Sequence, residues 1–285
     1  MSTTPDGTEA TLTVIGSGTL LPHGERGSAA LHLSSGGRGM LLDCGTGAVH
    51  GLDRFGAPWR EIDTVAISHY HSDHVGDLAS LLAAFRFVKR IHPLTLVGPL
   101  DFTDFMRRMD ALFGGGIMDP GFGLEIVELE PRSSWSGTSM GELGCFPTPH
   151  TPESLAFRVD GAWGSLGYTG DTGPSRDVSE FLAGCSVVVS ECARGDSSDG
   201  SAHLAPGDVA GLADIARPEL LVLTHVYPPQ TPEAAAAAVR ERYTGPVVAA
   251  ADGLTVVMRQ GGVTIQSGRD RGSAVRDVDR TPRPL

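Results

Sequence analysis

The sequence predicts an α/β fold of the αββα type, in which two mixed β-sheets pack face to face and helices cover both outer sides. Short segments rich in β-branched residues and segments of helical spacing follow one another in the order strands, helices, strands, helices. The chain has 285 residues, 40% of them hydrophobic, and no strong linker divides it. That is enough to bury one large core, so we expect a single domain over residues 1–267.

The first half begins with strands and continues with two helices. The predicted strands cover residues 11–15, 29–33, 39–43, 63–68 and 94–98. One helix is predicted over residues 77–90, which end in basic residues as a helix C-terminus prefers. A second helix is predicted over residues 101–113, with Asp101 as its N-cap.

The second half repeats this order in broad outline, without a sequence repeat. Strands are predicted over residues 124–129, 154–159, 165–169, 186–190, 220–224, 246–250, 254–258 and 263–266. Helices are predicted over residues 206–216 and 232–243, the latter with Thr231 as N-cap and Pro232 in the first helical position. The segment 268–285 is rich in Arg, Asp, Pro and Ser, which predicts a disordered tail.

Composition and charge restrict the class of partner and the compartment. The net charge of −12 repels polyanions, which argues against nucleic acid as the main partner and favours a small-molecule substrate. The four cysteines form no C-x-x-C pair, which suits a reducing cytoplasmic setting. The first ten residues lack the pattern of a signal peptide, and no apolar run approaches the length of a membrane span, so we expect no membrane partner.

A dense group of metal-binding residue types occurs between a predicted strand and a predicted helix. It reads His69-Tyr70-His71-Ser72-Asp73-His74. His69 and His71 lie two positions apart, so in an extended segment both side chains point to one face. Asp73 and His74 follow where the chain turns into the helix, and they can face a second point nearby. One short loop can thus serve two metal ions, and imidazole with carboxylate suits zinc but also admits manganese or iron.

Further ligand candidates lie far away in the sequence. His150 stands in a Pro-Thr-Pro-His-Thr segment, Asp171 follows the predicted strand 165–169 closely, and His225 directly follows the strand 220–224. Sites in α/β folds usually assemble at the carboxyl ends of strands. We therefore expect these side chains to join the group at residues 69–74.

With these residues, the chain resembles the metallo-β-lactamase superfamily. The segment 69–74 matches its His-x-His-x-Asp-His motif, and Asp43 matches the aspartate that precedes that motif at a strand end. Three features resemble the branch of ribonuclease Z and related phosphodiesterases. They are Gly170-Asp171-Thr172, His203-Leu204 at the opening of a helix, and the first loop Gly16-Ser17-Gly18-Thr19 with Arg26. The resemblance covers roughly residues 11–258 and implies a dinuclear hydrolase.

The resemblance also implies which residues bind the ions. One ion would be bound by His69, His71, His150 and Asp171. The other would be bound by Asp73, His74, Asp171 and His225, so that Asp171 bridges. A hydroxide between the ions would be the nucleophile, because two cations lower the pKa of bound water.

The remaining roles that the resemblance implies concern protons and orientation. Asp73 would also orient the hydroxide, and His203 would protonate the leaving oxygen or stabilise the charge of the transition state. Glu191 and Asp43 would not bind metal themselves but would orient the histidines. An ordinary helix-terminal residue is the alternative for His203.

Substrate contacts are predicted in two loops. The glycine-rich segment 113–123 carries Phe113, Ile117, Met118 and Phe122, which are predicted to form an apolar lid that contacts the substrate. The alternative is an ordinary loop whose apolar groups pack into the core. Arg26, in the first loop, is the other substrate-binding candidate, and His23 shares that loop.

Three reactions stay open at this level. The favoured one is hydrolysis of a small phosphodiester such as a cyclic nucleotide. The alternatives are acyl hydrolysis of a lactone or thioester, and transfer RNA 3′ processing. The last is weakened because only about 20 residues separate His150 from Asp171, where the tRNA-processing enzymes of this branch carry a protruding arm. A metal-bearing sensor without turnover is a further, less favoured hypothesis, and family analogy suggests a homodimer.

Overall fold

Two β-sheets form the centre of the fold, as the computed structural model of residues 7–195 and 202–266 describes it. The first sheet has eight strands: β1 (Glu9–Gly16), β2 (Ala30–Ser35), β3 (Arg38–Leu42), β4 (Ile62–Ala66), β5 (Leu94–Pro99), β6 (Leu124–Leu129), β14 (Thr255–Arg259) and β15 (Gly262–Gln266). Their order across the sheet is β15-β14-β1-β2-β3-β4-β5-β6. Strands β3 to β6 are parallel, whereas β15, β14, β1, β2 and β3 pair antiparallel.

The second sheet has seven strands. They are β7 (Ser134–Thr138), β8 (Gly141–Pro147), β9 (Leu155–Gly161), β10 (Gly164–Tyr168), β11 (Val187–Glu191), β12 (Leu220–Thr224) and β13 (Val247–Ala249). The order is β13-β12-β11-β10-β9-β8-β7, with a parallel half from β10 to β13 and an antiparallel half from β7 to β10. Both sheets are therefore mixed, as predicted.

Helices cover the outer face of each sheet. Those beside the first sheet are α1 (Ala48–Arg54), α2 (Ser72–Val75), α3 (Leu78–Phe87) and α4 (Phe102–Leu112), with a 3₁₀ turn at Trp59–Glu61. Those beside the second sheet are α5 (Arg176–Phe181), α6 (Pro206–Ala216) and α7 (Pro232–Arg240). Among the described residues, none of these helices has the length and hydrophobicity needed to cross a membrane.

The alternation of side chains along the strands builds three apolar layers. Met40 and Leu42 of β3 point into the core between the sheets, whereas Leu41 points towards the helices of the first sheet. In β11, Val187 and Val189 face the other sheet, and Val188 faces α5, α6 and α7. Successive side chains of a strand point to opposite faces, so apolar runs at these strands bury both faces. The predicted αββα sandwich is confirmed.

Several elements differ from the sequence prediction. Helices α1 and α5 and the hairpin of β7 and β8 were not predicted. Asp101 does not cap α4 with its side chain: it has a left-handed backbone, and Glu128 accepts the amides of Asp101 and Thr103 at 3.1 and 2.8 Å instead. Thr231 does cap α7 by accepting from the Ala234 amide at 3.2 Å, as predicted.

The boundaries of the domain stay a prediction. The described strands and helices account for one layered unit over most of the predicted range 1–267. The predicted tail, residues 268–285, lies outside the described residues.

Candidate metal centre

Histidine and aspartate side chains converge where the carboxyl ends of strands from both sheets meet. Within the described residues, three groups have candidate ligand atoms within 4.8 Å of one another. They are His69, His71, His150 and Asp171; Asp73, His74 and His225; and Asp171, His203 and His225. The chain brings together all seven residues that the sequence analysis assigned to metal binding, with His203 beside them.

The first group has three ring nitrogens in close contact. His71 Nδ1 lies 3.0 Å from His69 Nε2 and 3.1 Å from His150 Nε2. Asp171 Oδ2 lies 3.8 and 3.7 Å from the same two Nε2 atoms. Three imidazole nitrogens and a carboxylate oxygen thus surround one point, which is a donor set typical of zinc sites.

The second group lies on the other side of Asp171. His225 Nε2 is 3.2 Å from Asp73 Oδ2, and His74 Nε2 is 3.3 Å from Asp171 Oδ1. His225 Nε2 is also 3.7 Å from Asp171 Oδ1. One oxygen of Asp171 therefore faces each group, which is the arrangement that a bridging carboxylate requires.

Burial and charge act on the protonation of these groups together. Burial by itself raises the pKa of Asp171, but the neighbouring His225 and His74 outweigh it and hold that pKa well below its usual range. Burial, followed by the charge of His74, lowers the pKa of His69 strongly. Asp73 also has a lowered pKa, because the hydrogen bond from His225 and the charge of His74 outweigh its burial. The shifts at Asp171, Asp73 and His69 thus favour ionised carboxylates and a neutral imidazole, which are the protonation states that bind metal. At His74, by contrast, burial lowers the pKa, but the charges of Asp171 and Asp43 outweigh it and raise that pKa.

Two buried polar atoms without hydrogen-bond partners indicate that these residues fit divalent cations. His74 Nε2 and Asp171 Oδ1 lie side by side, and neither has a hydrogen-bond partner of acceptable geometry among the described residues. Buried polar atoms are almost always paired, so two such atoms at one point indicate a group that would bind there. A cation satisfies both a ring nitrogen and a carboxylate oxygen, and the imidazole and carboxylate donors fit zinc, manganese or iron.

A buried hydrogen-bond network orients His74. Asp43 Oδ2 accepts from His74 Nδ1 at 2.7 Å and from the Tyr168 hydroxyl at 2.7 Å. The amide and hydroxyl of Ser68 donate to the same carboxylate at 2.7 and 2.8 Å. With its Nδ1 proton held by Asp43, His74 turns Nε2 towards Asp171. Asp43 lies outside the metal groups, in the orienting position that the sequence analysis gave it.

The backbone at these strand ends is held in uncommon conformations. Asp43 and His225 have φ values of 58° and 57°, in the left-handed region that non-glycine residues seldom adopt. Gly45 follows Asp43, and a Cβ atom there would collide with the carbonyl oxygen of Asp73. Such strain persists where the surrounding structure imposes it, and it is common at functional sites.

His203 lies at the open side of the centre with its Nδ1 fixed. That atom is 3.0 Å from Glu191 Oε1, and Glu191 is fully buried at the end of β11. Glu191 also accepts the amides of Thr172 and Leu204 at 2.6 and 3.2 Å. Burial lowers the pKa of His203, but its hydrogen bond to Glu191 and the charge of that carboxylate outweigh this, and the net pKa is raised.

Some residues at the centre were missed by the sequence analysis. Tyr168 and Ser68 belong to the network around Asp43, and the ring of Tyr227 lies 5.4 Å from that of His225 and 6.4 Å from that of His203. A tyrosine at the end of a buried strand needs a hydrogen-bond partner. The sequence could therefore have indicated that the Tyr168 hydroxyl has a hydrogen-bond partner, but not that this partner is Asp43.

The structure gives the segment 113–123 a packing role. Ile117 is buried against α3, and its amide and that of Met118 donate to Asp110 Oδ1 at 2.7 and 3.1 Å. Phe122 packs edge to face on Phe85, and Phe113 is 63% exposed at a cavity formed with α3. None of the four predicted lid side chains lines the cavity that contains Asp73. Contact of this segment with a substrate stays a prediction. The alternative of an ordinary loop, which the sequence analysis also stated, describes this packing.

Comparisons with known proteins agree with this geometry. A sequence model for the family described as Beta-lactamase superfamily domain matches residues 38–226. The ribonuclease Z of Mycobacterium sp. (strain KMS) is 27% identical over 248 residues, which cover 78% of this chain and 85% of the relative. The ribonuclease Z of Clostridium acetobutylicum is 30% identical over 154 residues, 51% of this chain and 48% of the relative.

Solved structures show the same fold. A metallo-beta-lactamase fold protein from Bacillus subtilis has a TM-score of 0.78 at 20% identity and covers 88% of this chain and 99% of its own. The short form of human tRNase Z has a TM-score of 0.70 at 23% identity, with 86% and 98% covered.

Proposed function

The chain is a ribonuclease Z-like member of the metallo-β-lactamase superfamily and a metal-dependent hydrolase, and we propose that it cleaves a small phosphodiester, such as a cyclic nucleotide, with two bound metal ions. The observation that carries this proposal is the position of Asp171, which turns one carboxylate oxygen to each ligand group. The ions are proposed to be zinc, with manganese and iron as alternatives.

The proposed ligands divide between the two ions as the distances suggest. His69, His71, His150 and Asp171 would hold one ion, and Asp73, His74, Asp171 and His225 would hold the other. When bound, two such cations supply a water of lowered pKa as nucleophile and offset the negative charge that builds on phosphoryl oxygens. Asp73 has the further proposed role of orienting that water.

His203 is proposed to protonate the leaving oxygen. Its Nδ1 lies 3.0 Å from Glu191 Oε1, and Nε2 is the atom proposed to deliver the proton. The raised pKa of His203 favours its protonated form near neutral pH. An alkoxide is a poor leaving group, and general acid catalysis of its departure contributes typically about 10²–10⁴-fold to a rate.

RNA is the second candidate substrate. It is favoured by the names of the relatives, which are ribonucleases, and opposed by the net charge of −12. Most of the chain between His150 and Asp171 forms the paired strands β9 and β10, which leaves little room for a protruding arm at that point. Acyl hydrolysis is the third candidate. An apolar segment 113–123 would suit an apolar acyl substrate, but this segment packs against α3 and α4.

The deciding experiment combines elemental analysis with an assay on bis(p-nitrophenyl) phosphate, before and after chelation. We expect about two metal ions per chain and turnover that the chelator abolishes and added metal restores. Two metals without phosphodiester turnover would move the proposal to lactones and thioesters. Less than one metal per chain, unchanged by added zinc or manganese, would refute the dinuclear centre itself.

A further inference from the structure

A cavity of about 400 Å³ opens beside Asp73, and its lining includes neither His71 nor His150. Its walls are the first loop, residues 20–28, and helix α1 with the residue that follows it, Phe55. Because Asp73 belongs both to this wall and to the second ligand group, the cavity is continuous with the metal centre.

Basic side chains are gathered on the walls of this cavity. They are His23, Arg26, His50 and Arg54. In a chain with a net charge of −12, such a local group departs from the rest of the surface. Neither Arg26 nor Arg54 has a carboxylate partner within 4.0 Å among residues 7–195 and 202–266, so both guanidinium groups have hydrogen-bond donors to offer.

The acidic residues of the same wall are largely engaged elsewhere. Asp252 Oδ1 accepts from the amide and hydroxyl of Ser17, both at 2.8 Å, and its Oδ2 accepts from the Gly27 amide at 2.7 Å. Asp73 faces His225 at 3.2 Å. Glu25 is exposed at the rim. The two guanidinium groups are therefore the cationic groups of this wall that stay available to an anion, since no carboxylate of the described residues lies within 4.0 Å of either.

We infer that this cavity binds a second anionic group of the substrate, a phosphate monoester, with Arg26 and Arg54 as its recognition residues. The inference rests on the proposed function, which places the bond to be cleaved at the metal-binding groups. Guanidinium groups bind phosphate through paired, charge-assisted hydrogen bonds. The substrate class is then a phosphodiester that carries an additional phosphate, rather than a simple cyclic mononucleotide.

Two ligands that differ by one phosphate test this inference. Calorimetry on the purified, metal-loaded protein would compare thymidine 3′,5′-bisphosphate with thymidine 5′-monophosphate. We expect the bisphosphate to bind about 10-fold tighter or more, as one or two charge-assisted hydrogen bonds provide. The preference should weaken as salt rises, because the cavity is open to solvent.

Two variants locate the effect. Arg54→Met removes the charge of an exposed side chain at the end of α1, and it should reduce the preference to within about 3-fold. The matched control is Arg38→Met, an exposed arginine at the start of β3, which should retain the full preference. Arg26→Gln provides a second variant, on the opposite wall, and it should also reduce the preference for the bisphosphate.

The outcomes separate this inference from the proposed function. Equal binding of both ligands by the unmodified protein overturns the inference, and so does a full preference in both Arg54→Met and Arg26→Gln. A preference that depends on these arginines, without any turnover of bis(p-nitrophenyl) phosphate, supports the anion cavity and contradicts the phosphodiesterase proposal. Turnover together with equal binding supports the phosphodiesterase proposal and contradicts the anion cavity.

Discussion

Glu191 accepts a hydrogen bond from His203 Nδ1 at 3.0 Å and is itself completely buried. A buried carboxylate in this position fixes the ring of the histidine and favours its charged form, because the imidazolium offsets the cost of burying Glu191. Burial raises the pKa of Glu191, although the hydrogen bond from His203 opposes that rise. The ring of the proposed proton donor is thus held in one orientation by Glu191.

The first prediction concerns this pair. His203→Ala should lower kcat for bis(p-nitrophenyl) phosphate by about 10²–10⁴-fold while the metal content stays the same. Turnover at the unmodified rate would show that His203 is not the proton donor. A loss of metal in this variant would instead make His203 a ligand.

Glu191→Gln tests the electrostatic part of the same arrangement. The neutral amide no longer raises the pKa of His203, so that pKa should fall. Because the protonated ring is the active form, activity is lost as pH rises through its pKa, and the basic limb of the kcat profile should move to lower pH. We expect a loss of about 10- to 100-fold at neutral pH. An unshifted limb would contradict this interpretation.

Tyr168 should stabilise both the fold and the metal centre. Tyr168→Phe removes a hydrogen bond to the buried, charged Asp43, which should cost about 1.5–3 kcal/mol in the free energy of unfolding. Metal affinity should fall by about 10-fold, since Asp43 orients His74. The matched control is Tyr243→Phe, a buried tyrosine whose hydroxyl donates to the Pro218 carbonyl oxygen at 3.4 Å, and this variant should leave metal affinity unchanged. Equal metal affinities in all three proteins would refute the orienting role.

His32 should make the fold sensitive to acid. It is 1% exposed in β2, its Nε2 has no partner among the described residues, and burial lowers its pKa from 6.5 to about 4. The unfolded chain therefore binds the proton more readily, and stability falls as pH drops from about 6.5 to about 4. The full effect is about 2–4 kcal/mol.

Urea unfolding of the unmodified protein and of His32→Leu, at several pH values, measures this contribution. As pH drops from about 6.5 to about 4, the unfolding free energy of the unmodified protein should fall more than that of His32→Leu. Parallel curves would show that His32 does not titrate between the folded and unfolded states.

Variants at Ile117 and Phe113 distinguish a packing role of the segment 113–123 from contact with the substrate. Ile117→Ala should destabilise the fold by about 2–4 kcal/mol, because it leaves a cavity against α3. Phe113→Ser, at an exposed position, should change stability by less than about 0.5 kcal/mol. KM should stay the same in both. A raised KM in either variant would support the prediction that this segment contacts the substrate.

Apolar strand segments, and metal-binding residue types that follow them, made much of the architecture predictable. Strands 124–129 and 220–224 occur with the predicted bounds, because apolar residues make up most of each segment. Most metal-binding candidates were predictable from their positions close after predicted strands, because the ends of neighbouring strands meet. His150 is the exception, since it follows β8, which was not predicted. The sequence indicated where these side chains lie, but not which atoms each of them contacts.

Elements that depend on distant pairing were not predictable. Strands β7 and β8 contain Gly and Ser in place of a regular apolar alternation, and they exist because β8 pairs with β9. Helix α1 has only seven residues, too few for a helical period to emerge, so Arg54 could not be placed beside the centre. The bond between Tyr168 and Asp43 joins residues 125 positions apart, and nothing local in either segment indicates it.

Ser17 ties the centre to a late part of the chain. Its amide donates to Asp252, 235 positions away, and its carbonyl oxygen accepts from the His225 amide at 3.1 Å. Strand β1, which leads to Ser17, is also paired with β14. During synthesis, the first loop must therefore wait for nearly all of the described chain before it can take its position. We expect the nascent protein to remain inactive on the ribosome until β14 has emerged.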